Sequence, residues 1–167
     1  VRKSSGKDVS DVVDVLLFID EFIKSKTESI ANIEKILSFD SGLQTTKGVD
    51  IFENKFGFLE NTKLNASQLF DDILNIIFNA SSGILHLENL KGVDGEIALK
   101  IGENEHFGVI NVGDSQSLVK ICEANGITVS SRDFSSSLFK TINDTNSNLN
   151  ILIGSKKFSE GWSSWRV

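Results

Sequence analysis

Residues 150–167 read NILIGSKKFSEGWSSWRV, and this stretch decides which fold the whole chain is expected to have. The Ile-Leu-Ile run at 151–153 is continuous and apolar, which is typical of a short strand that is covered on both faces. Gly154 ends the run. The residues directly after it supply a hydroxyl group and two cations, and they are Ser155, Lys156 and Lys157. Because open α/β sheets bind ligands beyond the carboxyl ends of their strands, the pattern predicts a binding loop here.

A glycine inside this stretch has aromatic and cationic neighbours. Gly161 lacks a Cβ atom, so it can adopt a positive φ or let another backbone or a phosphate come close. Trp162, Trp165 and Arg166 follow it within five residues, and such rings and guanidinium groups attract one another. The loop is therefore expected to make close contacts with a ligand or with another domain.

The same residues carry a family resemblance. The stretch 154–167 resembles motif V of the helicase (Res) subunits of type III restriction enzymes, which belong to helicase superfamily 2. The preceding segment 134–150, FSSSLFKTINDTNSNLN, is similar to the approach to that motif. The resemblance implies that 134–167 is the remnant of a second RecA-like domain in an ATP-dependent DNA helicase or translocase.

The resemblance also implies roles for individual residues. Contact with the nucleic-acid backbone falls on Ser155, Lys156 and Lys157. Coupling of that contact to ATP, at the cleft between two motor domains, falls on Glu160, Gly161, Trp162, Ser163 and Arg166. The implied partners are DNA, the first RecA-like domain of the same polypeptide and a modification methyltransferase subunit, and ATP and Mg²⁺ are implied cofactors of the parent enzyme.

The sequence itself does not supply the groups that hydrolyse ATP. Such an enzyme needs a phosphate loop, an acid pair for Mg²⁺ and an arginine finger. Ser4-Ser-Gly-Lys7 lacks the upstream glycine and the hydroxyl after the lysine that a phosphate loop requires. Asp20 and Glu21 end a run that mimics the Mg²⁺-binding strand, but the helical period continues through them and predicts a solvated helix face. The isolated chain is expected to have no catalytic residue, no metal site and no cofactor.

Composition limits the class of protein. The chain has 167 residues, of which 40% are hydrophobic and 24% are charged, so it can form one ordinary domain core. No apolar run reaches the ~20 residues of a membrane span. The net charge of -6 means that any contact with nucleic acid is local. A single cysteine, Cys122, and the lack of a signal segment favour the cytoplasm, and the missing initiator methionine suggests an excerpt of a longer protein.

Apolar periodicity predicts the remaining elements. His86 and His106 fall within the region of the predicted meander and have no Cys or carboxylate at zinc-ligand spacing, so two ordinary histidines are expected there rather than a zinc site. The expected elements are a helix over 8–37 that can break near Thr27, a loop over 39–65 whose aromatic residues fold onto the core, a well-buried helix over 66–79, an antiparallel meander over 84–90, 96–101 and 107–112, a helix over 115–125, a short strand over 127–129 and a helix over 135–143.

The predicted fold class is α/β, with mixed α+β character and two parts. Residues 134–167 form the partial RecA-like motor domain, and 1–133 form an insertion or accessory region that is helical and carries a three-stranded antiparallel sheet, separate from the strand at 151–153. The alternative is a self-contained α+β interaction or sensor module without enzymatic activity. In that case Trp162 and Trp165 are core or partner-contact residues, and the lysine pair is solvated.

Overall fold

The structure, a computed structural model, describes residues 6–133 and 135–154. Within these residues the mixed α/β class is confirmed, with helices packed around one five-stranded sheet. The elements in chain order are α1 (Gly6–Lys24), α2 (Lys26–Leu37), α3 (Gly57–Glu60), α4 (Ala66–Asp72), a π-helix (Ile73–Ile77), β1 (Leu85–Leu90), β2 (Glu96–Ile101), β3 (Gly108–Asn111), α5 (Ser115–Ala124), β4 (Thr128–Arg132), α6 (Leu138–Thr141) and β5 (Ile151–Gly154).

The sheet has the strand order β4-β1-β2-β3-β5. The predicted meander is confirmed, since β1 pairs antiparallel with β2 and β2 pairs antiparallel with β3. Two parallel strands extend it, with β4 beside β1 and β5 beside β3. Four strands therefore run in one direction, and β2 alone runs against them. The carboxyl ends of those four strands meet along one side of the sheet, which we call the carboxyl edge.

The prediction of two separate sheets is wrong. Ile151 lies opposite Gly108 and Leu152 opposite Val109, so β5 continues the sheet of the meander. Partial alternation in the meander suggested a sheet with one solvated face, but every residue of β2 and β3 is buried. The expected domain boundary between residues 133 and 134 therefore divides strands that belong to one sheet. Strand β5 was expected to be covered on both faces, but it is half-buried and lies at one end of the described sheet.

One face of the sheet, the apolar face, carries the main core. Alternate residues of the strands point to this face, among them Leu87, Leu99 and Ile110. Helix α1 packs against the same core through Leu16, and α5 packs through Leu118. The members of this core in the sheet are Leu85, Leu87, Ile97, Leu99, Ile101 and Ile110.

The opposite face, the polar face, carries charged and amide side chains. Register places the side chains of His86, Glu88, Glu96, Lys100 and Asn111 there. A small second core of Val109, Phe139 and Leu149 attaches α6 and the following segment to this face. The crossover from β3 to β4 therefore covers the apolar face through α5, and the crossover from β4 to β5 covers the polar face through α6.

Several helical predictions are confirmed and others change. The first helix breaks at Ser25, close to the expected position, and α5 matches its prediction. The helix expected over 66–79 turns into the π-helix after Asp72, and the π-helix exposes 67% of Ile76 instead of burying it. The last helix is shorter than expected, at Leu138–Thr141, and Phe134 lies outside the described residues.

The aromatic residues of the 39–65 loop stack on one another instead of joining the main core. The rings of Phe52 and Phe56 have centroids 5.9 Å apart, and Phe58 lies 6.3 Å from Phe56. Phe58 is exposed. None of the helices in the described part of the chain combines the length and the apolar character that crossing a membrane requires.

The close contact between β3 and β5 gives a test of the single sheet. A Cβ atom on Gly108 would lie 2.9 Å from the carbonyl oxygen of Ile151 and 3.1 Å from Cδ1 of Leu99. We expect Gly108→Ala to lower the free energy of unfolding by about 1–3 kcal/mol, because this packed position cannot take an extra carbon without movement. Denaturant unfolding measures the change.

The matched control is Gly57→Ala, because a Cβ atom there has nothing within 4 Å. Equal stability of the two variants would contradict the pairing of β5 with β3.

Candidate functional site at the carboxyl edge

The carboxyl edge holds two clefts that share one turn. A cleft of about 630 Å³ lies between the turn at 92–94 and the segment 135–141. A second cleft of about 360 Å³ lies between the same turn and the start of α5. Serine hydroxyls, the Lys140 ammonium group and the Asn111 amide line the larger one. In sheets whose crossovers cover both faces, this is the side on which ligands bind.

A registered row of residues supports the larger cleft. Glu96 lies opposite Asn111, and Asn111 lies opposite Gly154, so the row crosses β2, β3 and β5. The Asn111 Nδ2 atom donates a hydrogen bond to the carbonyl oxygen of Asp94 at 3.0 Å. Gly95, at φ +72°, packs so closely that a Cβ atom would lie 2.8 Å from the Val112 carbonyl oxygen. This row of paired residues therefore marks where the carboxyl edge of the sheet lies, and Gly154 is its member in β5.

Glu96 holds the segment that follows β4. Its side chain is buried, with a relative exposure of 1%. Ser137 Oγ donates to Oε1 at 2.6 Å, and the Leu138 backbone N–H donates to Oε2 at 2.9 Å. The carboxylate therefore satisfies two donors at the start of α6, which no residue of the helix itself caps.

The residues assigned by resemblance lie outside the described residues. These are Ser155, Lys156, Lys157, Glu160, Gly161, Trp162, Ser163 and Arg166. The last described residue before them, Gly154, lies in β5 at the carboxyl edge, opposite Asn111. Comparisons with protein-family models, with curated proteins and with solved structures find no match. The assignment of these residues therefore depends on the sequence.

The polar face holds a second group of functional side chains, which we call the charge cluster. It consists of Glu88, Lys100, His106 and Arg132. Lys100 Nζ lies 3.4 Å from Glu88 Oε1, and His106 Nε2 lies 2.9 Å from Glu88 Oε2. The Arg132 guanidinium lies 3.8 Å from the same oxygen. The cluster borders a cavity of about 530 Å³.

Burial and pairing compete at Glu88. Burial disfavours the ionised carboxylate and by itself raises its pKa. The hydrogen bond from His106 and the charges of Lys100 and His106 act in the opposite direction and prevail, so the pKa of Glu88 is lowered from its ordinary 4.5. Glu88 is therefore an anion at neutral pH, held between cations. Lys100 is balanced further by Glu103, at 3.1 Å.

The acid pair in α1 is partly different from its prediction. Glu21 is exposed, as predicted for a solvated helix face, and it accepts a hydrogen bond from the Ser25 hydroxyl. Asp20 is buried instead, with a relative exposure of 7%, and pairs with Lys24 at 2.6 Å. Within the ranges 6–133 and 135–154, no group of three His, Cys, Asp or Glu side chains is placed to hold a metal ion.

Cys122 is a buried thiol, as its helical position predicted. Burial raises the pKa of its thiol from 9.0 to about 11, so the nucleophilic thiolate is scarce at neutral pH. The charge cluster and Glu96 were not predicted. Their signal is charge at alternate positions of β1 and β2, on the same face of strands that otherwise contain apolar residues.

The lowered pKa of Glu88 makes a prediction about acid stability. Because the unfolded chain takes up this proton at a higher pH than the folded chain does, the stabilisation is complete above about pH 4.5 and is lost as pH falls through the lowered pKa. We expect Glu88→Gln to cost about 1–3 kcal/mol at pH 7, because Lys100 and His106 lose their shared partner. Urea unfolding between pH 7 and pH 3 measures the difference, which should shrink on acidification.

Glu53→Gln removes an exposed carboxylate and is the control, with little effect at any pH. A pH-independent cost of Glu88→Gln would show that the ionised form of Glu88 gives no special stability.

Proposed function

We propose that the chain is a non-catalytic part of an ATP-dependent DNA helicase or translocase that resembles the helicase subunit of type III restriction enzymes. It contributes a nucleic-acid contact through Ser155, Lys156 and Lys157 and an ATP-coupling loop around Gly161. The observation that carries the proposal is the position of β5. This strand lies parallel to β3, and its last described residue, Gly154, lies at the carboxyl edge, directly before the residues that resemble motif V in the sequence.

The arrangement of the crossovers supports a ligand site at that edge. The α5 crossover packs on the apolar face and the α6 crossover on the polar face, so the loops leave the carboxyl edge toward opposite sides. A crevice forms between such loops, and backbone amides and short polar side chains at its walls suit phosphate groups. The two clefts around the turn at 92–94 are crevices of this kind.

Charge supports a local contact with DNA. The net charge of -6 repels a polyanion from most of the surface. Two adjacent lysines and a serine can still neutralise and bond backbone phosphates at one point. In this proposal the phosphate loop, the Mg²⁺-binding acids and the arginine finger belong to other parts of the parent polypeptide. ATP and Mg²⁺ bind there, in the cytoplasm, and a modification methyltransferase subunit is a further partner.

One observation favours the alternative of a self-contained interaction module. A small cavity of about 170 Å³ beside the 39–59 segment is lined by apolar side chains alone, and they are Leu37, Phe39, Phe56, Leu59, Leu64 and Leu69. Leu43 and Phe58 nearby in the sequence are exposed. Such a surface can bind an apolar side chain of a protein partner. Binding of a protein partner at this surface does not need Lys156 and Lys157. Substitution of the two lysines therefore distinguishes the interaction module from the helicase proposal.

The lysine pair provides the main test. In the full-length parent enzyme, Lys156→Ala combined with Lys157→Ala should weaken DNA binding by a similar factor for all DNA sequences. The slope of log affinity against log salt should become shallower by roughly 0.9 for each DNA phosphate that the variant no longer neutralises. Lys47→Ala with Lys55→Ala makes the same charge change at exposed positions of the 39–59 segment and should leave the slope unchanged. An unaltered slope in the 156/157 variant would remove the nucleic-acid role.

Gly161→Val tests the coupling role. A β-branched side chain blocks close approach of the loop backbone at the cleft between motor domains. We expect DNA-stimulated ATP hydrolysis by the parent enzyme to fall much more than its affinity for DNA does. Steady-state ATPase assays and DNA-binding titrations on the same preparation measure both quantities, and normal stimulation would exclude a coupling loop at this glycine.

A further inference from the structure

We propose that Glu96 is a positioning residue that holds the carboxyl edge in the geometry needed for coupling DNA contact to ATP hydrolysis. The inference rests on the proposed function and adds a residue that the resemblance does not reach. Glu96 lies in the central strand β2, outside 134–167, and belongs to the row that ends at Gly154.

The energetics of Glu96 call for a specific role. A buried carboxylate costs several kcal/mol of desolvation unless hydrogen bonds or cations compensate it. Glu88, on the same face, is compensated by Lys100 and His106. Glu96 instead accepts hydrogen bonds from neutral donors, the Ser137 hydroxyl and the Leu138 N–H. The two carboxylate oxygens of Glu96 therefore hold the chain in place at Ser137 and Leu138, where α6 begins.

Helix α6, whose start Glu96 binds, is too short to be stable without contacts from the rest of the fold. Helix α6 has 4 residues, far fewer than the ~12 that an isolated helix needs to be stable in water. Its contacts with the rest of the fold include Phe139 and Leu138 in the small second core and the two bonds to Glu96. Residues 135–141 form one wall of the larger cleft, so Glu96 sets the width of that cleft.

The far end of the same crossover is also held by hydrogen bonds. Asn150 Nδ2 donates to the carbonyl oxygens of Ile76 and Ile77, at 2.9 Å and 3.0 Å, where the π-helix ends. The crossover is therefore clamped before α6 and again before β5. Glu96 also lies in register with Asn111, which pairs with Gly154, so the residue that holds the cleft wall belongs to the same backbone row as the last described residue of β5.

Glu96→Gln in the full-length parent enzyme tests the inference. The substitution keeps side-chain size, and its amide oxygen can still accept from the Leu138 N–H while its NH₂ group donates to Ser137 Oγ, so it replaces two charge-assisted hydrogen bonds with two neutral ones. We expect the ratio of DNA-stimulated to basal ATPase to fall about tenfold, as for loss of a charge-assisted hydrogen bond. Basal ATPase should stay within about twofold of wild type, because the groups that hydrolyse ATP lie in other parts of the parent polypeptide, and the salt slope of DNA binding should not change, because the lysine pair is intact.

Ser137→Ala is the second variant, because it keeps the carboxylate and removes one donor, and it should lower the same ratio to a smaller extent. Glu53→Gln is the control for loss of a carboxylate and should leave the ratio unchanged. Thermal unfolding of each variant shows whether it folds. If Glu96→Gln does not fold, the ATPase ratio of Ser137→Ala decides whether the inference holds.

The outcomes separate this inference from the function on which it rests. If Gly161→Val lowers the ratio while Glu96→Gln and Ser137→Ala leave it unchanged, the positioning role is refuted and the proposed function stands. If the Glu96 and Ser137 variants lose basal activity, DNA binding and stimulation in equal measure, Glu96 is a structural residue only. If the Gly161 and lysine variants are all normal, the proposed function fails and this inference fails with it.

Discussion

Burial of β2 on both faces is the constraint that shapes the rest of the sheet. This strand is flanked by β1 and β3, and each of its six residues is buried, including Glu96 and Lys100. Charges in such a strand have little access to water, so partners within the protein must compensate much of their lost hydration. Glu96 finds them at the start of α6, and Lys100 finds them in Glu88 and Glu103. Coverage of the polar face therefore follows from two residues of one strand.

The two charged residues of β2 divide the polar face into regions with different electrostatics. Near the carboxyl edge the buried charge is a single carboxylate with neutral donors. Toward the other end the charges form a compensated network around Glu88, whose members come from β1, β2, β4 and the approach to β3. Removal of Glu88 from this network costs stability, because the ammonium group of Lys100 stays largely buried and loses an ion-pair partner. At the carboxyl edge, hydrogen bonds from neutral donors to Glu96 take the place of such ion pairs.

Sequence periodicity was sufficient for much of the fold. The helical spacing of α1 and α5 and the alternation in the meander predicted those elements close to their observed positions. Pairing between distant strands was not predictable, because the side chains of 151–153 fit the middle or the end of a parallel sheet equally well. The start of α6 is bound by Glu96, which lies 41 residues from Ser137 in the sequence, so no local signal marks it. The charge cluster was missed for the same reason, since its members meet only in the folded sheet.

Parallel pairing of β5 with β3 has a consequence for the order of folding. The meander has contacts between neighbours in sequence and can form early, whereas the pairing of Gly108 with Ile151 must close a loop of about 40 residues. Until that closure, the free side of β3 exposes backbone N–H and C=O groups in a strand whose four residues are buried in the folded protein, and such an edge is a template for pairing with other chains. A ribosome delivers β5 only after all other strands of this sheet. Synthesis halted before Ile151 would thus release an unprotected edge, and such truncated chains should be prone to aggregate.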